Sequence, residues 1–237
     1  MYQREGNQTH VVVVIQCITN PLYPHDMKNR FSLKAVLALF LITSAMALSH
    51  GGVGATSIRP LLIGSDAPNS TLLDTDGNSV QLHDVFDNKP TVVVFYRGGW
   101  CPYCNTHLRE LVEVESQLIE LGYQIIAISP DAPSKLQETS ANDELSYSLF
   151  SDSPHDVASA FGVAFTLESK TLERYQRRGR LTGYSDGVNK DKLPVPSVFI
   201  VTVDKKIAFQ YVDPNYKARM PGKLLLAAAQ SSLEFHK

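Results

Sequence analysis

Residues 91–96 read TVVVFY and lead directly into Arg97-Gly98-Gly99-Trp100-Cys101-Pro102-Tyr103-Cys104. A β-branched and aromatic run without alternation fits a strand covered on both faces, in a parallel or mixed sheet. After the cysteines, Leu108, Leu111, Val112, Leu118 and Ile119 recur at helical spacing, and Gly122 follows as a C-terminal cap. The sequence therefore holds a C-x-x-C on the loop between a central strand and an amphipathic helix. That junction constrains the fold more than any other feature of the chain.

The remaining pattern is built around it. Asp76-Gly77-Asn78, with Leu72 and Leu73 before it and Val80 and Leu82 after it, predicts a β-hairpin. Strands are expected at 124–129, 147–150, 198–203 and 207–212, and helices at 132–139, 156–161 and 222–235. Residues 166–193 are polar, with Arg174, Arg177, Arg178 and Arg180 close together, and read as an insertion, partly helix and partly loop, whose basic face is solvated. Strands alternating with helices, with a hairpin at each end, give one α/β domain with a mixed central sheet flanked by helices.

From Met27 the chain reads MKNRFSLKAVLALFLITSAMALSH: Lys28, Arg30 and Lys34, then an apolar run, then Ala45-x-Ala47. This is the form of a secretory signal peptide cleaved after Ala47. The apolar run, Ala35 to Leu48, falls short of the ~20 residues a spanning helix needs. Residues 1–26 are read as an upstream extension outside the true start, 27–47 as the signal, 48–60 as a flexible arm and 61–237 as the folded domain. The expected location is outside the inner membrane, in the periplasm, with membrane contact only through the signal. A formal charge of −2 shows no footprint for nucleic acid.

Of three cysteines, Cys17 precedes the cleavage point, so all sulfur chemistry of the exported chain sits in Cys101-Pro-Tyr-Cys104. Covalent haem needs a histidine next, and position 105 is Asn. Zinc needs further ligands; His107 shares a helical face with Cys104 but no second pair exists. A purely structural disulfide closing four residues would stabilise by only about 2 kcal/mol, against about 3 kcal/mol for a 15-residue loop. The fourth reading is a redox-active dithiol: a thiolate at a helix N-terminus faces unpaired N–H groups and the positive end of the dipole, and a thiol one turn on closes the ring. No metal and no cofactor is called for.

Phe95-Tyr96-Arg97-Gly98-x-Trp100-Cys101-Pro102-x-Cys104, together with Gly64-Ser65-Asp66-Ala67-Pro68 and Asp76-Gly77, resembles the peroxiredoxin-like (alkyl hydroperoxide reductase and thiol-specific antioxidant) family of the thioredoxin fold. The resemblance covers about residues 60–235. It implies a thioredoxin-like α/β fold and an antioxidant oxidoreductase that reduces hydroperoxides through Cys101 and Cys104, recharged by a thioredoxin-type or glutathione-type reductant. A thiol:disulfide oxidoreductase acting on protein disulfides and a non-catalytic binding module with a structural disulfide are the alternatives. Aligned on Phe95-Tyr96, the family's peroxidatic cysteine falls on Cys104, its proline on Arg97 and its hydroxyl residue on Cys101. Helix geometry instead makes Cys101 the more exposed attacking sulfur and Cys104 the resolver. Trp100 resembles the tryptophan that shields a thioredoxin disulfide, and Pro196, in Leu193-Pro-Val-Pro-Ser197, resembles the cis-proline that faces it. Arg97 adjoins the dithiol and is placed to stabilise a thiolate. Arg219 is a further arginine that could reach the site, although the sequence alone assigns it no position.

Overall fold

The computed structural model describes residues 54–181 and 190–235. The upstream extension, the signal at 27–47 and Cys17 lie outside the described residues. The hairpin forms at Asp76-Gly77-Asn78: β1 (Thr71–Leu73) pairs antiparallel with β2 (Ser79–Gln81), Leu72 opposite Val80. The Asp74 carboxylate closes the turn by accepting the backbone N–H groups of Asp76 and Asn78. There follow α1 (Leu82–Val85), β3 (Thr91–Phe95), α2 (Pro102–Glu120), β4 (Gln124–Ser129), α3 (Pro133–Asn142) and β5 (Ser148–Ser151). Then come α4 (Asp156–Ala160), β6 (Ala164–Thr166), α5 (Ser169–Arg177), β7 (Lys192–Pro194), β8 (Ser197–Val201), β9 (Ile207–Val212) and α6 (Gly222–Phe235).

Seven strands form one mixed sheet in the order β2-β1-β5-β4-β3-β8-β9. β3 runs parallel to β4 and antiparallel to β8, and all five of its residues are buried. Because side chains alternate along a strand, β3 feeds two layers. Val92 and Val94 pack with Leu108, Leu111 and Leu118 of α2 and with Leu225 and Ala229 of α6. Val93 and Phe95 pack on the opposite face with Leu82 of α1 and with Val157 and Phe161. β3 is thus clamped from both sides, and the loop that leaves its C-terminal end starts from a fixed point.

Three expectations change in detail. The insertion at 166–193 begins and ends in strands: β6 and β7 pair antiparallel, with the expected helix, α5, between them, over a small cluster of Leu167, Tyr175, Leu181 and Leu193. Residues 54–60 depart from a flexible arm, since Ala55–Ser57 forms a 3-10 turn and the chain then joins the fold at Leu61, whose N–H donates to the Phe161 carbonyl at 3.1 Å. The peptide bond before Pro196 is trans, as no cis bond occurs among the described residues. The chain runs extended from β7 into β8 there, held where the Val195 N–H donates to the Val163 carbonyl at 2.9 Å.

Candidate active site

The loop from β3 to α2 is pinned by two side chains. The Gly99 N–H donates to Asp131 Oδ2 at 2.7 Å, and Asn105 Nδ2 donates to the Gly99 carbonyl at 2.9 Å. Gly98 sits at φ +130°, a region few L side chains enter, and a Cβ there would meet the Asp131 carboxylate at 2.7 Å. Glycine is therefore required where the loop passes Asp131. The turn delivers Cys101 to the N-cap of α2, with Pro102 in the first turn, where its missing N–H costs nothing. Backbone N–H groups of Cys104 and Asn105 close on the Cys101 carbonyl.

Both cysteines are free thiols, and both are buried, Cys101 at 2% and Cys104 at 1% exposure. The expected difference in exposure between them is absent; what separates them is electrostatics. Cys101 is lowered to about 6, first by a hydrogen bond from the Cys104 thiol and the Cys104 backbone N–H, and further by the charges of Arg97 and Arg219, against the cost of burial. Cys104 is pushed well above the ordinary thiol range by burial and by the neighbouring Cys101. One proton is thus held on Cys104 while Cys101 carries the charge.

Arg97 is 3% exposed and makes no ion pair with a carboxylate among the described residues. Its guanidinium lies over three rings, at 5.1 Å from Trp100, 5.3 Å from Tyr175 and 4.5 Å from Tyr216, and its Nη2 donates to the Tyr175 hydroxyl at 2.7 Å. Arg219 reaches in from the segment before α6, its Nη2 3.4 Å from Cys104 Sγ. Trp100 is half-buried against the cysteine cluster and stacks at 5.4 Å on Tyr175. Pro196 lines a cavity of about 220 Å³ beside Arg97, Tyr175 and Tyr216. His107 points away, toward the Met220 carbonyl at 3.2 Å, and burial lowers it to about 4, so it is neutral.

The structure therefore brings Cys101, Cys104, Arg97, Trp100 and Pro196 to one place. Arg219, which the sequence leaves without a position, joins them, as do Tyr175, Tyr216 and Asp131, to which the sequence assigns no role at the site. Part of the basic insertion borders the site as well: half-buried Arg180 lies 5.9 Å from the Trp100 ring, and exposed Arg174 lies 5.6 Å from that of Tyr175.

Comparison with known proteins follows the same lines. The sequence model of the AhpC/TSA family matches residues 63–210. A putative peroxiredoxin bcp from Haemophilus influenzae is 40% identical over 106 residues, 45% of this chain and 68% of that protein. Peroxiredoxin Bcp from Escherichia coli is 34% identical over 106 residues, 45% of this chain and 67% of its own length. Among solved structures, peroxidoxin BcpB from Mycobacterium tuberculosis superposes with a TM-score of 0.55 at 18% identity, covering 74% of this chain and 97% of that one. A cysteine-to-serine mutant of PrxQ from Xylella fastidiosa superposes with a TM-score of 0.56 at 16% identity, covering 75% and 99%.

Proposed function

Because the chain belongs to the AhpC/TSA family, the peroxiredoxins of thioredoxin fold, we propose that its thiol-dependent peroxidase chemistry runs through a dithiol/disulfide cycle confined to Cys101 and Cys104. The Cys101 thiolate attacks the terminal oxygen of a hydroperoxide, the O–O bond breaks, and the alkoxide takes a proton and leaves as an alcohol, leaving a sulfenic acid. The Cys104 thiol displaces the sulfenic hydroxyl as water and forms the disulfide. Two thiols of a thioredoxin-type or glutathione-type donor return the pair to its reduced state and leave as a disulfide. The observation that carries this reading is the charge asymmetry: Cys101 sits at the N-terminus of α2 near Arg97 and Arg219 with a thiol pKa of about 6, beside a protonated Cys104.

One contact favours the reverse assignment, in which Cys104 attacks peroxide: Arg219 Nη2 lies 3.4 Å from Cys104 Sγ. Single-turnover peroxide consumption by the reduced serine variants decides between them. With Cys101 attacking, Cys104→Ser consumes one equivalent of peroxide and accumulates a dimedone-reactive sulfenic acid at Cys101, while Cys101→Ser slows by roughly 100-fold or more. A sulfenic acid trapped at Cys104 of the Cys101→Ser variant would reverse the roles. Failure of the wild type to consume peroxide, with protein disulfides reduced instead, would favour the oxidoreductase alternative.

Export belongs to the same proposal, supported by the charged, apolar and small-residue segments in order between Met27 and Ala47. Intact mass of the protein recovered from its native host should fit a chain beginning at Leu48. A stable species that still carries Cys17 would refute it.

A further inference from the structure

Arg97 poses a problem that the proposed cycle makes sharper. A guanidinium 3% exposed is costly to bury without an anion. Among the described residues its Nη2 has only the Tyr175 hydroxyl, and its Nε has no hydrogen-bond partner. In the reduced pair the Cys101 thiolate is the anion near it, and the two attract. In the disulfide neither sulfur is charged, and Arg97 is left with three ring faces and the neutral Tyr175 hydroxyl.

The same side chain lines the cavity of about 220 Å³ between the insertion and the β7–β8 segment. Phe165, Leu167, Val195 and Pro214 give that cavity apolar walls, and Arg174, exposed on α5, supplies a second cation. Its volume lies below the ~300 Å³ at which pockets for drug-sized ligands begin, so it fits a short apolar body.

We propose that this cavity is a binding site for a small organic anion, a carboxylate on a short apolar chain, and that it binds the oxidised protein more tightly than the reduced one. The inference rests on the Cys101–Cys104 disulfide cycle proposed above. The carboxylate supplies beside Arg97 the negative charge that the thiolate loses on oxidation, and the apolar chain lies against Phe165, Leu167 and Pro214. Coupling of this kind is reciprocal, so the anion stabilises the disulfide as much as the disulfide stabilises the bound anion. The cavity thereby lets the supply of such anions bias the pair toward its oxidised form.

Trp100 is the chain's single tryptophan and lies 5.1 Å from the Arg97 guanidinium, so its fluorescence reports on the site. The test is a titration with hexanoate, and with hexan-1-ol as the neutral control, of reduced and oxidised wild type and of Cys101→Ser and Arg174→Gln. Hexanoate should bind oxidised protein roughly 10-fold more tightly than reduced protein, within the usual range of coupling between sites. Hexan-1-ol should show no such difference. Arg174→Gln should weaken hexanoate in either state. In glutathione buffers, saturating hexanoate should then lower the potential of the pair by about 30 mV, the equivalent of a 10-fold shift for a two-electron couple. Cys101→Ser, which has no thiolate at position 101 in any state, should bind hexanoate as the oxidised protein does; it decides the question even if no disulfide forms. Equal affinity for hexanoate in both redox states and in Cys101→Ser, equal binding of the alcohol, or no binding of either would overturn the proposal.

Discussion

Asp131 shows how much of the site depends on one buried carboxyl. It is 2% exposed and accepts the Gly99 N–H that fixes the cysteine loop. Burial raises it to about 6, against the Gly99 bond and the Lys135 charge that favour ionisation. A carboxyl whose folded pKa lies above its unfolded value of 3.8 contributes stability that is complete below about pH 4 and is lost as pH rises through 6. Asp131→Asn keeps an oxygen for Gly99 and removes the ionisation. Urea denaturation should therefore find the variant and the wild type close at pH 4, with the variant more stable at pH 8 by on the order of 2 kcal/mol. A difference that stays constant between the two pH values would show that Asp131 ionises without cost to the fold.

At the scale of elements, legibility follows burial. β4 and β9 fall where the apolar runs place them, and α2 follows its periodicity, because Cys104, Leu108, Leu111 and Leu118 all face the sheet. The insertion was opaque for the complementary reason. α5 buries only Tyr175, so no apolar stripe marks it, and β6 and β7 are three residues each. Residues 48–60 read as a Gly-, Ser- and Thr-rich arm because composition carries no sign of a backbone contact. Gly162, at φ +71°, lies so close to this segment that a Cβ would stand 1.8 Å from the Arg59 carbonyl oxygen. The site divides in the same way. Cys101, Cys104, Arg97 and Trp100 are legible since they adjoin one another in sequence, and Pro196 because its segment resembles a known one, although its peptide bond is trans. Tyr175 and Tyr216 are two of ten tyrosines, and only folding brings them to the guanidinium 78 residues from Tyr175.

At the scale of the whole molecule, the sheet and the insertion have separate cores, and the site lies where they meet. Leu167, Tyr175, Leu181 and Leu193 form a cluster apart from the two layers that sandwich β3, with Trp100 packed against both it and the cysteine side. The sheet should therefore fold without the insertion. β6 and β7 already pair up to Thr166 and Lys192, and the Leu167 N–H donates to the Asp191 carbonyl at 2.7 Å, so an Asn-Gly turn in place of residues 168–190 closes a two-residue hairpin. Such a chain keeps the hydrogen bond from Cys104 to Cys101, which is the larger cause of the low thiol pKa, and loses the Tyr175 hydroxyl and ring that hold Arg97. A guanidinium opened to water is screened and pulls less on the thiolate. The shortened protein should unfold cooperatively in urea, and the midpoint of Cys101 alkylation by iodoacetamide should rise from about 6 by roughly half a unit to one unit. Tyr175→Leu in the full chain should shift the midpoint in the same direction. Midpoints unchanged in both proteins would make the insertion a passenger on the fold, and would show that the acidity of Cys101 comes from Cys104, the helix N-terminus and the arginines without help from Tyr175.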